Sequence, residues 1–174
     1  MASGKAHHAT GFAAGIIAAA LVSGTGGNHL ACGLAMVAAI AGATAPDWLE
    51  VAWWSRARRL WITHRTLTHW GVGWAAMLAV SWHFLGRGGD YGAGAAFAFG
   101  FACGGLIHLL ADWPNPLGVP WIHARHSLNL WTSGHCDLIV VGASWIAAFF
   151  VADDIWFHHA YGHMLMNALR TLHA

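Results

Sequence analysis

A histidine and an aspartate four residues apart have the clearest chemical potential in this sequence. They lie in the apolar stretch His108-Leu-Leu-Ala-Asp112. Because residues four apart share one face of an α-helix, the imidazole and the carboxylate project to the same side. Such a pair is either a structural hydrogen bond inside the protein or two ligands of one metal ion.

Further histidines and carboxylates lie at the ends of other apolar stretches. They are His7, His8, Asp47, Glu50, His64 and His69. Thr68 is the predicted N-cap of the helix that enters the third stretch. Histidine with carboxylate is the ligand set of zinc and of related hydrolytic metal ions. A metal ion held in this way makes bound water more acidic and polarises a phosphoryl or carbonyl oxygen.

The remaining basic and imidazole groups leave alternatives open. Arg65 lies between the two histidines of HRTLTH and either clamps a phosphate or extends to lipid headgroups. The loop residues His123, His126 and His135 are candidates for a further ligand or a general acid. The tail histidines His158, His159 and His163 are similar to the histidine boxes of di-iron membrane oxidases.

The composition indicates the class of protein that carries these groups. Charged residues make up only 9% of the 174 residues and hydrophobic residues 57%, whereas soluble domains carry about 25% charged residues. So few charges cannot cover a surface in water, so we expect a membrane protein. The net charge of +1 gives no indication of nucleic acid as a partner. The three cysteines include no C-x-x-C pair, which argues against a disulfide framework.

Five apolar stretches predict an all-α, polytopic membrane bundle of five or six helices in a single domain, 1–174. The stretches run approximately over 9–23, 29–45, 67–85, 91–112 and 137–152. Gly11 and Gly15 give the first of them a face of small residues suited to close helix packing. The tail, 155–174, is either an amphipathic helix at the membrane surface or a short sixth span.

The basic residues predict the orientation of this bundle. With a cytoplasmic N-terminus, only Arg87 falls clearly outside, and the excess of positive charge lies inside. The residues placed inside are Lys5, Arg56, Arg58, Arg59, Arg65 and Arg125. The same topology puts all the candidate ligands on the cytoplasmic side, so we expect one metal site at that rim.

Four motifs in order carry a family resemblance. His7 precedes Gly11 by four residues, Pro46-Asp47 ends the second stretch, and HRTLTH and HLLADWPNPLG follow at 64–69 and 108–118. Over roughly residues 7–120 the chain resembles the YdjM family of inner-membrane, metal-dependent hydrolases. The resemblance implies as metal ligands His7, Asp47, His64, His69, His108 and Asp112.

The chain departs from the family pattern at several positions. Leu49 stands where the family has a second Asp, with Glu50 adjacent as a substitute. Asn115 replaces a Thr, and Trp70 stands where a small Ser is common. Asp137 takes the place of a Glu that the family often has near the fifth helix. The ligand types also look similar to the zinc-dependent phospholipase C and P1-nuclease group, which suggests phosphoester chemistry.

The sequence thus predicts a metal-dependent hydrolase of the inner membrane that cleaves a phosphoester, with a phospholipid suited to the location. The expected cofactor is zinc, in one to three ions, and the candidate catalytic residues are Arg65, Asp137 and Glu50. A metal or proton transport protein and a di-iron oxidase are the alternatives. A transport protein is expected to distribute its ligands along the membrane depth rather than at one rim.

Overall fold

The computed structural model confirms the all-α helical bundle. It describes residues 2–55, 60–62, 67–87, 92–122, 124–132, 134–135 and 137–172. Over these residues the long helices are α1 (Gly4–Gly24), α2 (His29–Gly42), α4 (Gly71–Leu85), α5 (Gly92–Asp112), α6 (Asp137–Phe157) and α7 (Ala160–Leu172). They follow the five apolar stretches and the tail, and α3 (Ala45–Trp48) adds a single turn after α2.

Two short hairpins lie between the helices and were not anticipated. Strand β1 (Trp53–Ser55) pairs antiparallel with β2 (Leu60–Ile62), and Trp54 lies opposite Trp61. Strand β3 (Val119–Pro120) pairs in the same way with β4 (Arg125–His126). The cap prediction for Thr68 is wrong, because it lies in a 3₁₀-helix (Leu67–His69) and Trp70 precedes α4 without a side-chain cap.

Small residues determine how closely the helices pack. A Cβ on Gly100 or Gly104 would collide with the carbonyl oxygens of Ala35 and Ala39 on α2. Helices α2 and α5 therefore run parallel with their backbones in contact, as small residues permit in membrane helices. Gly11 faces Ala43 in the same manner, so the small-residue face predicted on α1 packs against α2.

The helix directions bring five helix ends to one end of the bundle. Helix α1 is antiparallel to α2, since Gly11 meets Ala43 while Gly15, further along α1, meets Met36. Helix α4 is antiparallel to α5, since Trp74 packs on Gly105. Helix α6 runs parallel to α1, since Ile155 near its end packs on Gly24 at the end of α1. Helices α1, α4 and α6 therefore begin at the end where α2 and α5 terminate, and we call this the ligand end of the bundle.

Three helices are long and apolar enough to cross a membrane: α1, α5 and α6, each of 21 residues. Helices α2 and α4 are apolar but shorter, with 14 and 15 residues. Helix α7 has 13 residues, fewer than the roughly 17–25 that a span needs. Its polar residues His163, Asn167 and Arg170 recur at helical spacing on one side, which favours the amphipathic alternative for the tail.

Candidate metal centre

His108 is fixed in one orientation by the backbone of α2. It lies in the last turns of α5 and is fully buried, as is Asp112 one turn later. Its Nδ1–H donates a hydrogen bond of 2.8 Å to the carbonyl oxygen of Ala43. Because the proton sits on Nδ1, the lone pair of Nε2 is directed away from α2 and available to a cation.

His7 reaches His108 from the first turn of α1. Ser3 caps this helix, since its hydroxyl accepts a hydrogen bond of 3.2 Å from the amide of Ala6. The rings of His7 and His108 stack with centroids 3.9 Å apart. Nε2 of His7 lies 3.6 Å from Oδ1 of Asp112. Two buried imidazoles and a carboxylate from distant parts of the sequence therefore meet.

Asp47 and His69 complete the cluster from a second direction. Pro46 at the start of α3 helps to form this single turn, and Oδ1 of Asp47 lies 3.6 Å from Nε2 of His108. The same oxygen lies 3.5 Å from Nε2 of His69. These atoms form a second group of three that shares His108 with the first.

Glu50 lies on the far side of His69. Its Oε1 is 3.2 Å from Nδ1 of His69. A carboxylate that accepts a hydrogen bond from one ring nitrogen orients the other nitrogen and makes it more basic. Glu50 is a catalytic residue in the sequence-based prediction, whereas its contact with Nδ1 in the structure suits it to position His69.

The nitrogen–oxygen distances across the cluster fit a metal ion better than hydrogen bonds. The four pairs that involve Nε2 atoms span 3.5–3.9 Å, whereas N–H···O bonds are about 2.7–3.2 Å long. Ligands placed tetrahedrally at about 2.0–2.1 Å from zinc lie about 3.4 Å from one another. Nε2 of His7, Oδ1 of Asp47 and Nε2 of His108 are buried and form no hydrogen bond with any described residue.

Burial and charge favour the metal-binding forms of these groups. An unsatisfied buried polar atom costs about 1–3 kcal/mol, so the three orphaned atoms of the cluster favour a bound cation. Burial by itself would raise the pKa of Asp47. The polar contact with His69 and the charges that His108, His7 and His69 can carry outweigh burial and hold that pKa below its usual range. Asp47 is thus kept as a carboxylate.

His108 limits how many ions the described ligands can hold. Both groups of three include it, and its Nδ1 is occupied by Ala43. An imidazole nitrogen has one lone pair, so Nε2 binds one ion. A second ion would depend on a bridging carboxylate such as Asp47 or Asp112, or on residues outside the described ranges.

Several predicted site residues lie elsewhere. His64, Arg65 and His123 lie outside the described residues, so their placement stays a prediction. The carboxylate of Asp137 accepts from the backbone amide of Ser3 at 3.2 and 3.4 Å, which places it at the start of α1 rather than among the imidazoles. His126 is exposed and accepts a hydrogen bond of 2.8 Å from Nε1 of Trp113.

His135, His158 and His159 also lie apart from the cluster. Nδ1 of His135 lies 2.8 Å from the hydroxyl of Thr132 in an exposed loop. His158 and His159 follow α6, which begins at the ligand end, so they lie at the opposite end of the bundle. The comparison of the tail with histidine boxes gains no support from this placement.

Two backbone groups in the site were not identified from the sequence. One is the carbonyl oxygen of Ala43 described above. The other is the amide of Ala2, which donates a hydrogen bond of 2.9 Å to Oδ1 of Asp112. Neither leaves a signal in residue types, because every residue carries these groups. The nearest indication is Gly104, whose lack of a side chain allows α5 to approach the end of α2.

Comparison with known proteins gives one match. The family model described as "YdjM inner membrane protein" matches residues 1–166. This range includes every ligand in the described cluster. No curated protein and no solved structure matches the chain.

Proposed function

Because the chain belongs to the YdjM inner membrane protein family, we propose that it is a membrane-embedded, metal-dependent hydrolase that cleaves phosphoesters. The observation that carries the proposal is the group of three buried imidazoles, the buried carboxylate of Asp112 and the partly exposed carboxylate of Asp47, with nitrogen–oxygen distances of 3.5–3.9 Å. Such a group costs stability unless a cation occupies its centre.

Zinc is the metal that suits this ligand set best. Histidine nitrogens and carboxylate oxygens are its usual ligands in catalytic sites. His7, His69 and His108 would supply the nitrogens, and Asp47 and Asp112 would supply the oxygens and balance the positive charge. The absence of cysteine among these ligands argues against a structural zinc site, which typically uses thiolates.

The residues around the cluster have separable roles in this proposal. When bound, zinc supplies an acidic water and a Lewis acid for a phosphoryl oxygen. Glu50 orients the ring of His69, and the carbonyl of Ala43 orients the ring of His108. The Nε2 atom of each ring would then stay directed at the metal. Arg65, which lies between two of the predicted ligands in the sequence, is assigned to bind the phosphate of the substrate.

The proposal includes a multi-pass topology with the site at the cytoplasmic rim of the inner membrane. The alternating helix directions are those of a chain that crosses the membrane repeatedly. The predicted topology gathers most of the Lys and Arg residues on the side of the candidate ligands, which supports a cytoplasmic location for that side.

Transport or simple metal binding is the main alternative. A transport route needs ligands at successive depths of the membrane, whereas the described ligands gather at one end of the bundle. This clustering favours a reaction centre. A di-iron oxidase would need iron in the same site, so the metal itself distinguishes it from the hydrolase.

Hydrolysis of a small chromogenic phosphodiester tests the proposed activity. The purified protein is stripped with a chelator, reloaded with zinc and assayed with bis(p-nitrophenyl) phosphate. We expect turnover that depends on zinc and is lost in His108→Ala. His126→Ala is the matched control, because this exposed histidine lies outside the cluster. A wild-type protein that cleaves neither this soluble diester nor a phospholipid with zinc bound would contradict hydrolase activity on phosphodiesters.

A further inference from the structure

The metal cluster reaches the protein surface at one of its five ligands. The side chain of Asp47 is 35% exposed, whereas those of His7, His69, His108 and Asp112 are at most 2% exposed. A reactant that approaches the described cluster must therefore pass Asp47. The surroundings of this residue accordingly determine which molecules are admitted.

Exposed apolar side chains flank Asp47 and His69 in the sequence. Trp48 is 59% exposed and Val51 74%, and both lie within four residues of Asp47. Leu67 and Trp70 flank His69 on the other side and are 66% and 40% exposed. We call Trp48, Val51, Leu67 and Trp70 the apolar apron.

The apron lies next to helix ends, because Trp48 and Val51 come after α2 and Leu67 and Trp70 come before α4. In water, large exposed apolar patches mark contact surfaces. At the end of membrane helices, tryptophans and aliphatic side chains instead lie among lipid headgroups and the first methylenes. An apron at the ends of membrane helices is therefore expected at the level of the phospholipid phosphates.

We infer that the substrate is a membrane amphiphile, a phospholipid-type phosphoester that enters past Asp47 from within the bilayer. The apron contacts its hydrocarbon chains while its phosphate reaches the metal cluster. The inference rests on the proposed hydrolase function and specifies its substrate class. It also gives Trp48 and Val51 a role in substrate selection without contact with the reacting atoms.

The first test compares two substrates in the zinc-loaded protein. Trp48→Gln/Val51→Gln is assayed on bis(p-nitrophenyl) phosphate and on phosphatidylethanolamine–phosphatidylglycerol nanodiscs that contain the protein. We expect the ratio of the lipid rate to the soluble-ester rate to fall about tenfold, since two apolar contacts with the acyl chains are lost. Leu138→Gln is the matched control, because Leu138 is 87% exposed at the start of α6 and flanks no ligand of the cluster. An unchanged ratio in the double variant would overturn the inference.

The second test does not depend on turnover. A spin label is attached to Val51→Cys in a chain whose native cysteines are replaced, and the protein is placed in the same nanodiscs. We expect the label to be relaxed more by oxygen, which concentrates in lipid, than by a water-soluble nickel complex. Preferential relaxation by nickel would place the apron in water, and protection from both would place it against protein. Either result would contradict a lipid-facing entrance.

The outcomes separate this inference from the proposed function. If the wild-type protein cleaves the soluble diester but never the phospholipid, the proposed hydrolase function is supported and the inference of an amphiphilic substrate is wrong. If it cleaves neither with zinc bound, the hydrolase itself fails. The spin-label result bears on the entrance alone in both cases.

Discussion

Asp112 has two functions that one substitution can separate. Its Oδ1 accepts from the amide of Ala2 at 2.9 Å and faces Nε2 of His7 at 3.6 Å. In Asp112→Asn the amide oxygen can still accept the Ala2 hydrogen bond, but it has lost the charge that binds and balances a cation. We expect zinc affinity to fall at least about tenfold while the fold persists.

Metal content and melting temperature, measured on one preparation of Asp112→Asn, distinguish a metal ligand from a purely structural partner of His108. A purely structural His108–Asp112 pair would lose about 1–3 kcal/mol of stability on this change and leave the metal content intact. Full zinc occupancy with a lowered melting temperature would therefore remove Asp112 from the site.

Glu50 is expected to act through His69 rather than on the substrate. Glu50→Gln retains an oxygen that can accept from Nδ1 of His69 but lacks its charge, whereas Glu50→Ala removes both. Loss of such a partner costs about 10–100-fold in metal affinity. We expect zinc affinity to fall in the order wild type, Gln, Ala, measured by competition with a chelating dye. Equal affinity in all three would show that Glu50 does not position the ligand.

At the scale of elements, the contact between α2 and α5 determines where His108 lies. Gly104→Ala places a methyl group against the carbonyl of Ala39, and overpacking of this kind costs about 1–3 kcal/mol. We expect a lower melting temperature and weaker zinc binding, because α5 moves away from Ala43. Gly94→Ala is the control on the same helix, since a Cβ there meets no described residue within 4 Å. Equal zinc binding in both variants would contradict the coupling of packing to the site.

The start of α1 depends on Asp137. Its carboxylate accepts from the amide of Ser3, four residues before His7. We expect Asp137→Ala to lower stability by about 1 kcal/mol and to leave zinc content unchanged. A loss of turnover at full zinc occupancy and unaltered melting temperature would instead support the catalytic role predicted from the sequence.

Those features of the cluster that follow from helix spacing and from the side on which helices end could be predicted from the sequence. The spacing of His108 and Asp112 predicted that they share one face, and the predicted membrane topology put them on the same side as His7, Asp47 and His69. The sequence left the partner of each group undetermined. The Ala43 and Ala2 contacts use backbone atoms, and the hairpin of β1 and β2 arises in a Trp-rich segment with no clear alternation of apolar and polar residues.

At the scale of the whole molecule, orientation can be tested separately from chemistry. In a chain without its native cysteines, Ser55→Cys lies near the ligand end and Gly86→Cys follows α4 at the opposite end. A membrane-impermeant maleimide applied to intact cells is expected to label Gly86→Cys and spare Ser55→Cys, because basic segments are retained in the cytoplasm. Labelling of Ser55→Cys alone would contradict the predicted orientation and indicate the opposite one.

The metal content of the purified protein tests the central claim most directly. Elemental analysis compares the wild-type chain with His108→Ala and with the control His126→Ala. We expect about one zinc ion per chain in the wild type and in the control, and almost none in His108→Ala, because Nε2 of His108 belongs to both groups of ligands. A wild-type protein that binds no metal, or a His108→Ala variant that retains it fully, would contradict the account.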